Sequence, residues 1–242
     1  MDKKQVLETL HYLKNNSPKR NFKQNIDFLL VLKQLNIKKD TDKVLQFAVL
    51  PYDRGKKQRI GAFVGQELVT TAKATCDKVI LVDEFKSYDK KTMKKLARDI
   101  DIFVAQANLM PQVAATFGKV LGPRGKMPNP KAGCIIPPTA DMKSIVQKLH
   151  KTVRLETKTD IVIRTVIGKQ EQNEEEVAEN ILHVYNTLLH ALPQERNNIK
   201  HLFLKYTMGP AVNIENLPNA VAAPVVETET PKKKTKGAKH GA

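Results

Sequence analysis

The sequence predicts a mixed chain: a discontinuous α+β outer domain with a Rossmann-like α/β domain inserted into it. Three observations carry this. Between Arg59 and His150, short apolar runs and helical segments follow one another in regular succession, the pattern of a small parallel sheet covered on both faces. Before and after that stretch, strand-like segments alternate apolar with polar residues, as half-buried antiparallel strands do. Of the 242 residues, 41% are apolar, enough to bury cores in one large domain or two modest ones. The predicted division is residues 1–58 and 152–214 for the outer domain, 59–151 for the inserted one, and 215–242 as a disordered basic tail.

Val6, Leu7, Leu10 and Leu13 recur at helical spacing behind Asp2, a suitable N-cap, and the polar NSPKRNFK segment ends that helix. A strand follows on the even positions Ile26, Phe28, Leu30 and Leu32. A second is expected over 44–50, with Leu45, Phe47 and Val49 on its apolar side. NIKKDTDK (36–43) and PYDRGKKQR (51–59) are polar, basic connections. In the middle, RIGAFVG, KVILVDEF and DIFVAQ read as strands, with helices expected from Gln66, Asp89 and Pro111. Thr139 is placed to cap a helix whose core face is Met142, Ile145, Val146 and Leu149. Alternation returns in RLETKTDIVIRTVIG (154–168), with Ile161, Ile163 and Ile167 on one side. The clearest helix comes next, opened by Asn173 with Glu176 and carrying Val177, Ile181, Val184, Leu188 and Ala191 along one face until Pro193. HLFLKYT (201–207) is a strand, and Met208-Gly209-Pro210 breaks the chain before AVNI. From residue 215 the sequence loses all periodicity and has too little apolar surface to order itself.

Charge narrows the function. Net charge is +16 with pI near 9.7, and the last 28 residues hold only five Lys against three Glu, so the body keeps +14. A body this basic is most simply a binder of phosphate backbone. Cys76 and Cys134 stand far apart without paired spacing, and the six histidines lack carboxylates at ligand spacing, so neither a metal site nor a disulfide framework is indicated. No cofactor is expected. The N-terminus has no apolar signal core and no run of about 18 apolar residues occurs, so no membrane is expected and the protein is read as cytoplasmic.

The densest punctuation lies in GKVLGPRGKMPNPKAG (118–133), which has four glycines, three prolines and the cations Lys119, Arg124, Lys126 and Lys131. Neither helix nor strand is expected to run through it. No acidic residue lies between Phe103 and Ala140, so the loop is an uncompensated positive patch. It is not a nucleotide phosphate loop: Val120 stands where that motif needs glycine, and Met127 where it needs a hydroxyl. Paired carboxylates, or a nucleophile with its base, are nowhere evident, so no enzyme activity is expected.

With KYTMGPAV (205–212), LGPRGKMPNPKAG (121–133) and NFKQ (21–24) in order, the chain resembles the large-subunit ribosomal protein one family, the protein of the mobile lateral stalk, from about residue 1 to 214. PPTAD (137–141) is more archaeal or eukaryotic in style and NPKAG more bacterial, with a lean towards archaea. The resemblance implies that the outer domain grips lateral-stalk ribosomal RNA and that the inserted domain swings towards exit-site tRNA, helping its release. It further implies a monomer within the ribosome, and repression of the protein's own messenger RNA as in many members. RNA contact is carried over to Phe22, Thr207, Met208, Gly209 and Pro210, flanked by Arg20, Lys23 and Lys205 as phosphate partners. Asn25 occupies a position that often bears a hydroxyl. Lys119, Arg124, Lys126 and Lys131 form a secondary RNA-binding set. The competing readings are Phe22 as a core aromatic, Thr207–Pro210 as a mere strand-ending turn, a nucleotide-binding enzyme on the α/β middle, and a processing factor of the same fold outside the ribosome.

Overall fold

The computed structural model describes residues 1–18, 20–35, 43–137, 141–157 and 160–215. Among these the helices are α1 (Lys3–Asn16), α2 (Val69–Thr75), α3 (Lys90–Asp99), α4 (Met110–Leu121), α5 (Met142–Lys151) and α6 (Glu174–Ala191). The strands are β1 (Asn25–Leu32), β2 (Leu45–Val49), β3 (Ile60–Val64), β4 (Lys78–Leu81), β5 (Ile102–Gln106), β6 (Ile135–Ile136), β7 (Thr152–Glu156), β8 (Val162–Lys169), β9 (Ile199–Tyr206) and β10 (Ala211–Asn213). Most of the 36–43 connection, Thr139 and the tail from 216 lie outside the described residues.

Both chain ends build one core. β1 alternates as predicted, burying Ile26, Phe28, Leu30 and Leu32. It sits inside an antiparallel sheet of order β10-β9-β1-β8, which α1 and α6 cover from one side. α1 opens at Asp2, whose backbone N–H donates to Gln5 Oε1 at 3.4 Å. α6 opens at Asn173, whose side chain accepts from the Glu175 N–H at 3.2 Å. On its predicted face Val177, Ile181, Val184 and Leu188 are buried, but Ala191, the last residue of the helix, is exposed and Leu192 fills the core instead.

The 44–50 segment reverses the predicted facing. Val44, Ala48 and Leu50 are buried, whereas Leu45 and Val49 are exposed and Phe47 is half-buried. Its sequence, VLQFAVL, is apolar at both parities, so period alone does not choose a face. Pairing with β7 chooses it, by setting Ala48 opposite Val153 over the same core.

The middle of the chain forms a parallel sheet of order β4-β3-β5-β6. One face carries Phe63 and Phe103 against Phe85 and Phe117, closed by α3 and α4. On the other, Ile60, Ala62, Val64 and Val104 pack on α2 and α5. Local details depart from expectation. KVILVDEF is a strand only to Leu81 and continues as a 3-10 helix, Val82–Ser87. α5 is capped by Asp141, whose carboxylate accepts from the Lys143 N–H at 3.1 Å. α4 runs through Gly118 to Leu121, and a 3-10 turn occupies Pro130–Ala132, so the 118–133 stretch is not wholly a loop.

Candidate nucleic-acid interface

The antiparallel pairing of β1 with β9 places Ile26 opposite Tyr206, so the start of one strand meets the end of the other. Two short segments 180 residues apart are thereby joined. The Thr207 N–H and Oγ1 both donate to the Asn25 carbonyl, at 3.1 and 3.3 Å. Met208 N–H donates to Gln24 Oε1 at 3.2 Å, and Gly209 N–H closes the turn on Tyr206 O at 2.8 Å. With its backbone tied down in this way, the turn presents its side chains outward. Phe22 is 53% exposed and Met208 62%, the two most exposed large apolar side chains among the described residues. Phe22 is therefore not a core aromatic. Arg20, Lys23, Thr207 and Pro210 are also exposed, and Asn25, Lys205 and Gly209 partly so.

Gly209 has no left-handed backbone, the positive-φ glycines being Gly55, Gly125 and Gly133. A Cβ there would meet Tyr206 Cβ at 3.3 Å, with Ser17 Oγ 3.7 Å away, so a side chain would fit only if Tyr206 gave way by a few tenths of an ångström. Ser17 Oγ is itself buried without a hydrogen-bond partner among the described residues. Gln24 and Ser17 are thus parts of this site that residue patterns do not reveal. Gln24 stands inside the NFKQ motif but reads as one more polar residue until the turn from the far end of the chain is laid on it.

Electrostatics around the turn are mixed. Lys23 Nζ meets Glu171 at 2.9 Å, an exposed pair of the kind worth about 0–1 kcal/mol and readily exchanged for a phosphate. Lys205 lies opposite Asp27, whose carboxyl is pushed up by burial and drawn back down by that ammonium.

Sequence matching decides what kind of chain this is. The pattern of the ribosomal protein L1p/L10e family covers residues 13–210, which includes both segments of the turn site. The chain belongs to this family. Archaeal relatives named large ribosomal subunit protein uL1 align over nearly their whole length. The one from Nanoarchaeum equitans is 40% identical over 200 residues, 81% of this chain and 93% of the relative. Those from Methanothermobacter thermautotrophicus and Methanothermococcus thermolithotrophicus are 38% and 34% identical, covering 87% and 89% of this chain and 98% and 100% of their own length. The archaeal lean of the PPTAD segment agrees with them.

The secondary set in this family member is divided. Lys119 and Lys131 are exposed. Arg124 instead donates to Lys94 O at 3.2 Å, and Lys126 Nζ donates to Ile100 O, both on or just beyond α3. Arg124 thus ties the loop to the middle of α3 and Lys126 ties it to the C-terminal end, where a cation suits the negative end of the helix. Arg154 of β7 reaches across to Gly125 O while pairing with Glu156. A cleft of about 880 Å³ opens there, lined by Lys205, Arg124 and Lys126 among others.

Proposed function

We propose that the protein is a structural constituent of the large ribosomal subunit that grips lateral-stalk ribosomal RNA through Phe22, Thr207, Met208, Gly209 and Pro210. Arg20, Lys23, Asn25 and Lys205 surround these as phosphate and ribose partners. The gripping domain consists of residues 1–58 and 152–214; residues 59–151 form the arm that meets exit-site tRNA and helps its release, with Lys119, Arg124, Lys126 and Lys131 as secondary contacts. The place of work is the cytoplasmic ribosome, and the role is structural rather than enzymatic. Repression of its own message follows from the same site, if that message folds a stalk-like hairpin.

The observation that supports this most is the exposure of two large apolar side chains, Phe22 and Met208, on the two segments that the bond from Met208 N–H to Gln24 Oε1 joins, beside cations. Single-stranded or bulged bases splay out onto such side chains, while the ribose 2′-hydroxyl and phosphates meet polar groups at the rim. Gly209 keeps the turn tight, since a side chain there would face Tyr206 and Ser17.

The test is a titration of full-length protein with stalk RNA and an unrelated hairpin across a potassium chloride series. Wild type should prefer the stalk RNA at every salt concentration. Phe22→Ala and Met208→Ala should each weaken it about 10-fold, in line with the roughly 1–3 kcal/mol that stacking of one base supplies, with melting temperatures unchanged because both side chains are exposed. Equal affinity for the two RNAs would reject the site.

A further inference from the structure

Basic loop 118–133 turns out to be partly structural, whereas α3, which no motif singled out, gathers five exposed cations on one face. Lys90, Lys91, Lys94, Lys95 and Arg98 are all exposed, while Met93, Leu96 and Ala97 are buried beneath the helix. At 100° per residue the five cations fall within an arc of about 140°, spread over roughly 12 Å of axis. Among the described residues none of the five forms an ion pair, and they repel one another at i,i+3 and i,i+4. Asp99 is the single acid of the helix, at its last position. A merely solvated helix face interleaves both signs; this one does not.

From this geometry we infer that the exposed face of α3 is a second RNA-binding surface, which docks the phosphate backbone of a folded RNA. Arg124 extends it, since its guanidinium reaches the α3 backbone at Lys94 and remains exposed. The surface has no exposed aromatic among its residues, so it reads shape and charge rather than base identity. The inference rests on the proposed function only in which RNA the inserted domain meets; the surface itself is independent of the turn at 206–210.

The experiment uses the full chain carrying Lys91→Gln, Lys94→Gln, Lys95→Gln and Arg98→Gln together. A control neutralises the exposed Lys56, Lys57, Lys73 and Lys78 instead. Each is titrated by fluorescence anisotropy with a deacylated tRNA transcript, with stalk RNA, and with vesicles of phosphatidylglycerol and phosphatidylcholine. The α3 variant should bind tRNA at least 10-fold more weakly at 100 mM potassium chloride. Its plot of log affinity against log salt should be shallower by about 2–4, near 0.7–0.9 for each phosphate that is no longer neutralised. Stalk-RNA affinity should change less than 3-fold, and thermal melting should be unchanged or slightly raised as repulsion is relieved. Three results would each overturn the inference: tRNA binding and slope unaffected by the α3 changes, an equal weakening in the control, or wild-type binding to vesicles as tight as to tRNA and equally dependent on α3. A wild type that fails to prefer stalk RNA over a hairpin would reject the turn site and leave the α3 comparison readable.

Discussion

Gln24 keeps only 2% of its surface exposed, and its Oε1 is the acceptor for the Met208 amide. Gln24→Ala would strand that N–H in a part-buried place, at about 1–3 kcal/mol. The expected outcome is a lower melting temperature together with weaker stalk-RNA binding, although Gln24 itself is too buried to offer a contact; a variant that melts earlier but binds like wild type would separate the turn from recognition. Asp27 carries a signed pH effect. Burial is the larger influence and raises its carboxyl above the ordinary 3.8, against the pull of Lys205. A raised folded value means that the stabilising contribution is present below 3.8 and is lost as pH climbs through the folded value. At neutral pH the ionised carboxylate is therefore a burden, and Asp27→Asn should stabilise the protein there by a fraction of a kcal/mol after solvent screening. Melts at pH 7 should show a gain of roughly 1–2 °C, which disappears near pH 3. Both residues lie within stretches whose strand and motif character was legible from sequence. Their roles were not, because each depends on a neighbour from the far end of the chain.

At the scale of elements, β2 shows where pattern reading stops. Burial in β1 alternates cleanly because its odd positions face away from α1 and α6, and the first two of them, Asn25 and Asp27, are polar ahead of Leu29 and Val31. In β2 only Gln46 is polar, and that single residue does not outweigh apolar side chains of both parities. A pair of substitutions tests the observed facing: Ala48→Glu places an unpaired charge in the core and should cost several kcal/mol, whereas Val49→Glu, at an exposed position, should shift stability by no more than about 0.5 kcal/mol. Chemical denaturation of the two variants checks this, and similar losses for both would contradict the pairing with β7. α3 makes the complementary point. Its helix was predictable from Asp89 and the apolar spacing, but its lysines attract no notice in a chain with 41 cationic residues. They stand out only once two of the four loop cations, Arg124 and Lys126, are seen bonded to carbonyls.

For the whole molecule, the crossing points between the two parts are close together. Leu50 N–H donates to Lys151 O at 3.0 Å, and Lys151 Nζ reaches Pro51 O at 3.1 Å. The core of the end-built part draws on residues 6–50 and 153–214 and includes none from the middle. Replacing 59–150 with a short Gly-Ser linker should therefore leave a cooperatively folding domain that binds stalk RNA within about 10-fold of the full chain but has a shallower salt dependence, since the cations of the middle are gone. Circular dichroism and the same titrations measure both quantities. An unfolded product would show that the end-built core requires the middle part.

The sequence by itself determined the two styles of sheet, the insertion of one part into the other, the basic character and the family, because these rest on local periodicity, composition and motifs read in order along the chain. Tertiary structure alone decided which face of β2 is buried, which cations are free, and that Gln24 supports the turn at Met208. Each of those is a relation between residues far apart in sequence, settled by strand pairing and by the competition of carbonyls for a limited set of donors. Periodicity carries no information about either.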